Sequence, residues 1–394
     1  MLSSLLFAAA LGGMFELSDH TTFRLREPGD LADTASLDLE TIPEARLAIL
    51  SRRARFTVSY VPRLTLYNMN VDFEPPVLFQ EGTVGAEWHD RFLRFSIMEA
   101  GGYGGMNLTT LSLVPGPGGT PPRIDAVPVS RVIDMAYSTT TLGMRLTLRR
   151  WALDLRTGYL VSGGTTADAQ TTLPLQDGPF GEARLDYTAT RRSRFTTKLA
   201  ASELAFSSGP ESILVEATER WRYAVSRSDV LALEGGASEV RMRLNDLDWN
   251  HYFTYPVAEA MFEHTFKRAE RESLAVSLTA RVGPIVNRIF GTVDERVQAT
   301  AHATWRRQRL TVDFFVTANQ TVPPDDPNAV QLLDGELSTS YATSKVVAFD
   351  VGVRGLAQRL NAAVAPWSSD FTQSSLMMAL VYVGVSLHAP PIRF

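Results

Sequence analysis

The chain has no cysteine among its 394 residues, which excludes disulfides, thiolate zinc sites and cysteine nucleophiles without fixing a compartment. It has no run of about twenty apolar residues, which excludes a helical membrane span. Its six histidines, His20, His89, His251, His264, His302 and His388, are scattered without HExxH-type spacing, so no metal site is expected. There is no GxSxG elbow, and His264 shares a strand phase with Phe262 and Phe266, which leaves a Ser/His lipase without its parts. The run Gly101-Gly102-Tyr103-Gly104-Gly105 opens no helix, so it reads as a loop or an inward kink and not as a phosphate cradle. The expectation is a protein with no cofactor and no catalytic residues.

What is present is a beat. From about residue 34 to the C-terminus, segments of ten to fifteen residues alternate apolar and polar side chains. Period-two alternation sorts side chains onto the two faces of a strand. The segments are joined in turn by very short Arg-rich turns and by longer Gly/Pro/Asp loops. The short turns include Ser51 to Ala54, His89 to Arg91, Arg149-Arg150, Arg191 to Ser193, Ser226 to Ser228, Arg268 to Glu272, Arg306 to Gln308 and Thr343 to Lys345. The longer connections are Met69 to Phe79, Leu113 to Arg131, Gly163 to Gly178, Ser207 to Pro210, Leu244 to Phe253, Pro284 to Arg288, Val322 to Gln331 and Asn361 to Thr372. Short turns at one end and long loops at the other are the asymmetry of an outer-membrane barrel, with the short end periplasmic.

These connections give seventeen strands between about Thr34 and His388. Bacterial single-chain barrels have even strand numbers, so Phe15 to Glu27 is read as an additional strand. The predicted fold is all-β: a transmembrane antiparallel up-and-down barrel of about 18 strands, with 16 still open. Propellers and β-solenoids also have many strands, but those are shorter and carry repeat motifs. With 45% hydrophobic residues, the composition suits a wall whose lipid-facing residues are diluted by lumen residues.

Where alternation is clean, the faces can be assigned. Phe56, Val58, Tyr60, Leu64 and Leu66 oppose Thr57, Ser59, Arg63 and Thr65; Leu274, Val276, Leu278 and Val282 oppose Ser277, Thr279 and Arg281. The polar phase carries both signs of charge. Arg63, Arg145, Asp154, Arg156, Arg184, Asp186, Glu216, Arg220, Arg222, Glu234, Glu259, Arg281, Arg296, Asp313, Glu336, Asp350 and Arg354 are the expected lumen-lining residues. In a barrel this wide such groups either border a water-filled channel or hold adjacent strands by cross-strand pairs. Trp88, Phe92, Trp151, Trp221, Tyr223 and Trp305 fall beside the short turns, as an aromatic girdle at the membrane interface requires.

The N-terminus, MLSSLLFAAALGG, has the apolar core and small-residue finish of a secretory signal but no basic n-region. Residues 1–13 are therefore set apart as a signal-like segment from a single barrel domain, 14–394. The prolines of Leu113 to Arg131 exclude a central strand, so that segment is a cap or a lumen constriction. A terminal Phe394 after an alternating strand resembles the signal read by the outer-membrane assembly machinery, although Pro390 and Pro391 interrupt the strand. The cationic turns lack interleaved aromatics, so nucleic acid is not an expected partner. Lipid head groups, an anionic passenger or an acidic partner protein would suit that rim.

Segments such as RRARFTVSYVPRLTLYN, TYPVAEAMFEHTF, ARVGPIVNRIFGTVDERV and VYVGVSLHAPPIRF resemble outer-membrane barrels of myxobacteria-like delta-proteobacteria. Some of that group are proposed partners of periplasmic polysaccharide-export proteins lacking an outer-membrane span of their own. The resemblance implies a conduit for polysaccharide export. A general diffusion porin is the alternative, and a largely closed scaffold a third reading. Tyr67, Tyr103 and Tyr382 are the candidates to stack against sugar in the lumen.

Overall fold

In the computed structural model the alternating segments form one antiparallel sheet closed on itself. The structure describes residues 12–27, 35–70, 75–107, 132–243, 249, 251–269, 272–287, 292–323, 329–360 and 375–394. The first nine strands are β1 (Gly12–Glu27), β2 (Ser36–Leu50), β3 (Ala54–Leu66), β4 (Val77–His89), β5 (Leu93–Asn107), β6 (Val132–Thr147), β7 (Trp151–Gly164), β8 (Gln176–Thr188) and β9 (Ser193–Phe206). The next nine are β10 (Glu211–Ala224), β11 (Asp229–Arg243), β12 (His251–Ala269), β13 (Glu272–Asn287), β14 (Thr292–Arg307), β15 (Leu310–Val322), β16 (Val330–Ala342), β17 (Val347–Leu360) and β18 (Ser375–His388). Each pairs with its chain neighbours, and β1 closes the ring against β18. The barrel therefore has 18 strands, with Gly12–Glu27 supplying the one that makes the number even.

The seam has an extra device. After Pro390 and Pro391 the chain resumes as β19 (Ile392–Arg393), which pairs with Phe15 and Met14 of β1. Gly13 and Phe394 exchange backbone hydrogen bonds of 2.7 and 3.1 Å. The Phe394 ring lies where a side chain at position 13 would stand, 2.0 Å from an ideal Cβ. Prolines cannot donate to a ladder, but here they fall between β18 and β19 and cost the ring nothing. Of the signal-like segment, residues 1–11 lie outside the described residues; Gly12 and Gly13 open β1 opposite Leu50 and Ile49.

Four of the short turns, opening at Ser51, Thr190, Ser226 and Ser344, share a local cause. A Ser or Thr begins the turn, and its hydroxyl accepts the backbone N–H groups that the reversal would leave unpaired. Thr190 Oγ1 accepts from Arg192 and Ser193 at 3.1 and 3.0 Å. Ser226 Oγ accepts from Ser228 and Asp229, and Ser344 Oγ from Val346 and Val347, at 3.0–3.1 Å. With the backbone satisfied internally, Arg52, Arg53, Arg191, Arg192 and Arg227 are left to line the rim.

The outer face is apolar: Phe23, Ile97, Leu142, Leu199, Leu278, Phe314, Val353 and Val383 are large hydrophobics left exposed by the chain itself. No described helix is long and apolar enough to cross a membrane; crossing is by strands of 13–19 residues.

Two elements leave the wall and fold inward. Between β7 and β8, helix α1 (Ala167–Thr172), capped by Thr166, places Ala169 and Leu173 against Phe79, Met106, Ile133 and Met135. Gly163 permits this, because its φ of 156° and the approach of the Pro174–Leu175 backbone leave no room for a side chain. The second is the long-loop end of the β13–β14 hairpin. Val293 and Val286 pack on Val240 and Met242, while Tyr255 Oη donates to the Val293 carbonyl at 3.3 Å.

Sequence expectations differ from this structure in particulars. The Gly101–Gly105 run, read as a loop or a kink, is not a loop but part of β5, kinked at Gly104 with φ 138°. Pro284 lies in β13, not in a connection, and Val77 to Phe79 begin β4. Leu113 to Arg131 lies outside the described residues.

Candidate functional site

The ladder registers place the charged residues of the polar phase in rungs around the inside of the barrel. One rung runs Arg94, Arg145, Asp154, Arg184, Lys198 across β5 to β9. Another runs Asp186, Thr196, Arg220, Glu234, Glu259, Arg281 across β8 to β13. Opposite charges meet along and between rungs: Arg156 contacts Asp154 at 3.1 Å, Lys198 contacts Glu216 at 2.6 Å, and Arg281 reaches the same carboxylate at 3.7 Å. Arg220 bridges Glu234 at 3.8 Å and Glu259 at 3.3 Å, Arg222 pairs with Glu263 at 3.2 Å, and Arg194 pairs with Asp186.

Pairing does not neutralise the surface that faces the void, because the two signs sit at different depths. Asp154, Asp186 and Glu216 side chains are 15, 10 and 8% exposed. Arg145, Arg156, Arg184, Arg194 and Arg222 are 40–52% exposed. Short carboxylates lie against the wall, and long guanidinium side chains reach past them into water. A cavity of ≈ 510 Å³ at the short-turn half of the barrel is bordered by seven cationic side chains, Arg145, Arg156, Arg184, Arg194, Lys198, Arg220 and Arg222, against four acidic ones.

The opposite wall is built differently. Glu40 is buried and held by Arg24 and by Arg63 at 3.6 Å. Arg354 donates to both Asp334 oxygens, at 2.9 and 2.8 Å, with both side chains buried. Tyr382 Oη donates to Glu336 at 2.5 Å and Ser386 Oγ to Asp350 at 2.8 Å. Asp313 contacts His302 at 3.2 Å. Outside the half-exposed Asp313–His302 contact, the cations and anions paired here are withdrawn. The lumen thus has a basic wall over β6 to β12 and a compensated wall over β14 to β3.

Of the tyrosines considered for sugar stacking, Tyr67 is buried and Tyr382 is tied to Glu336. Tyr103 is excluded: it is 61% exposed and pairs with Gln80 on the outer face. The aromatic residues beside the short turns meet in outward-facing pairs, Trp151 stacked on Tyr187, Trp221 on Tyr223, and Trp88 tilted against Phe95. Phe92 sits under Arg91, and Trp305 pairs with Val312 on the outer phase. Arg194, Lys198 and Glu263 border the basic wall but were not singled out from sequence; their alternation was legible, and only their neighbours across the ladder reveal the cluster. Among the described residues no group of His, Cys, Asp or Glu is arranged to hold a metal ion.

A closed 18-strand barrel with an apolar outer belt, an aromatic rim and a charged interior is an outer-membrane β-barrel channel, the one sheet architecture that satisfies every backbone group within a bilayer. The fold recurs in OccAB2 of Acinetobacter baumannii, 10% identical, with 96% of this chain and 98% of that chain covered at a TM-score of 0.51. OpdO of Pseudomonas aeruginosa is 11% identical over 96% of this chain and 98% of that chain, at 0.50. No curated protein matches. Residues 19–245, more than half the chain, match the EpsX exopolysaccharide export family, and the chain belongs to that family.

Proposed function

We propose that the barrel is the outer-membrane conduit for an acidic exopolysaccharide, received at the periplasmic mouth from a periplasmic export protein that docks on the Arg-rich turns. The observation that carries this is the depth asymmetry of the β6 to β12 wall: buried carboxylates under half-exposed guanidinium groups make a basic track in a lumen of nearly balanced composition. Half-exposed pairs contribute only about 0–1 kcal/mol each, so a polyanion can exchange partners along the track without being trapped.

The lumen-lining residues of that track divide by role in this reading. Arg145, Arg156, Arg184 and Arg222 contact the polymer, while Asp154 holds Arg145 and Arg156, Glu182 holds Arg184 and Glu263 holds Arg222. Family membership supports the class of cargo. The inward-folded helix α1 favours a second reading, a diffusion porin for small solutes narrowed at its long-loop half.

Planar-bilayer recording decides between them. Export predicts that polygalacturonate added at the short-turn side interrupts the current in voltage-dependent events, whereas dextran of equal length does not. Equal blocking by both polymers, or block only by monosaccharides, would overturn it.

A further inference from the structure

We propose that the outer wall over β3 to β9 holds an anionic diacyl phospholipid of the periplasmic leaflet, its acyl chains in an apolar groove and its phosphate among the arginines of the turns beside it. The cargo of the lumen plays no part in this site. A concavity of ≈ 1260 Å³ runs across these strands. Its apolar side chains belong to the outward phase: Phe56 is the ladder partner of Ala86, Phe95 of Met144 and Leu199 of Ala183. The inward phase of the same strands carries Arg145, Asp154 and Arg184, which border the lumen. A closed sheet is convex toward the bilayer, and a recess in it marks this arc of the wall off from the rest.

The groove has the height of one leaflet. Trp88 and Phe95 mark the aromatic girdle at its short-turn end. Four residues further along β5 the outward phase reaches Glu99, whose carboxylate accepts from Ser138 Oγ at 2.6 Å and from Thr140 Oγ1, and the apolar floor stops. At about 3.4 Å of rise per residue and a tilt of about 40°, Glu99 stands roughly 10 Å from the girdle, near the middle of an apolar belt about 25 Å tall. On β13 the outward residues Leu274, Val276, Leu278, Ala280 and Val282 run past that depth without a polar side chain. The rim beside the groove is cationic. The turns from β2 to β3, β4 to β5, β6 to β7 and β8 to β9 carry Arg52-Arg53, Arg91, Arg149-Arg150 and Arg191-Arg192, all exposed, against one carboxylate, Asp90. Arg53 meets Asp90 only at 4.0 Å, and Arg91 lies over the Phe92 ring, 5.0 Å from its centroid. An apolar recess one leaflet deep with a surplus of guanidinium groups at its mouth is complementary to a lipid whose head group is a net anion.

Native mass spectrometry of the full chain in detergent, titrated with phosphatidylglycerol or with phosphatidylethanolamine of the same acyl chains, reads the site. The wild type should retain severalfold more phosphatidylglycerol than phosphatidylethanolamine. Arg149→Gln/Arg150→Gln should lose that preference, whereas Arg306→Gln/Arg307→Gln, an equal loss of charge on another arc of the rim, should keep it. Ala183→Phe and Ala201→Phe fill the groove from outward positions and leave every arginine in place; each should lower phosphatidylglycerol retention severalfold, with heat-modifiable gel migration confirming a folded barrel. Equal retention of the two lipids by the wild type overturns the proposal. So does an equal loss of preference in the two arginine variants, which would mean diffuse attraction to the rim, and so does full retention in both groove-filling variants, which would mean that the acyl chains lie elsewhere.

Discussion

Breaking the Asp334–Arg354 pair should cost far more than breaking an ion pair of similar length elsewhere in the lumen. Asp334 on β16 and Arg354 on β17 are 1 and 2% exposed, joined through two hydrogen bonds of 2.8 and 2.9 Å. Arg354→Met leaves the Asp334 carboxylate buried and without its cation, at a cost of about 3–5 kcal/mol. Arg222 and Glu263 provide the internal control: 3.2 Å apart but 50 and 40% exposed, so Arg222→Met should cost about 0–1 kcal/mol. The difference amounts to roughly two to three powers of ten in the folding equilibrium. It is measured by urea titration of the barrel in phospholipid vesicles, following tryptophan emission and heat-modifiable migration. Asp334→Leu/Arg354→Met should recover most of the loss, because no charge is then left behind. If Arg354→Met is no costlier than Arg222→Met, or the double variant loses the sum of its singles, the reasoning from burial fails.

Val276 and Val312 occupy the outer phase of β13 and β15, Val312 opposite the girdle residue Trp305 and Val276 opposite Ala303 two residues away, so Val312→Arg should cost only about 0–1 kcal/mol and Val276→Arg more, below the about 2–4 kcal/mol of a midplane site, read as the folded fraction in vesicles. Arg156→Glu/Arg222→Glu changes two half-exposed members of the basic wall; folding should be spared while reversal potentials in a salt gradient shift toward cations. At the seam, Gly13→Leu places a side chain where the Phe394 ring lies; slower conversion to the heat-modifiable form is expected, with Phe394→Ala restoring it.

The fold was legible because period-two alternation survives over most of the wall and the turns punctuate it. Arg63, Arg220 and Asp350 could be given a phase from their immediate neighbours alone. Tyr103 could not: it lies among Gly101, Gly102, Gly104 and Gly105, which have no side chains to define two faces, and the ladder with Gln80 puts it outside. The infolded helix was illegible for a different reason. Thr165 to Leu175 reads as a polar connection, and what draws it inward is an apolar patch from distant strands, Phe79, Met106 and Ile133. The depth of a charge was hidden too, because phase says which face a residue takes and not how far its side chain reaches.

That last distinction separates the two walls more than composition does. On β6 to β12 Asp154 and Asp186 are met by longer cations that stay half in water; on β16 and β17 the Arg354 guanidinium is folded down onto Asp334 and both are sealed. The same residue types thus serve two ends: sealed pairs fix neighbouring strands at a cost that punishes their loss, whereas half-exposed pairs hold little energy and leave the cation available. A polyanion drawn to the basic wall competes only with screened, weak partners. Exchange should then be rapid at physiological salt, and lengthening one acid, as in Asp154→Glu, should lift that carboxylate beside Arg145 and Arg156 and weaken block by polygalacturonate. An unchanged block in that variant, with the fold intact, would mean that the depth of the wall acids does not set the sign of the lumen surface.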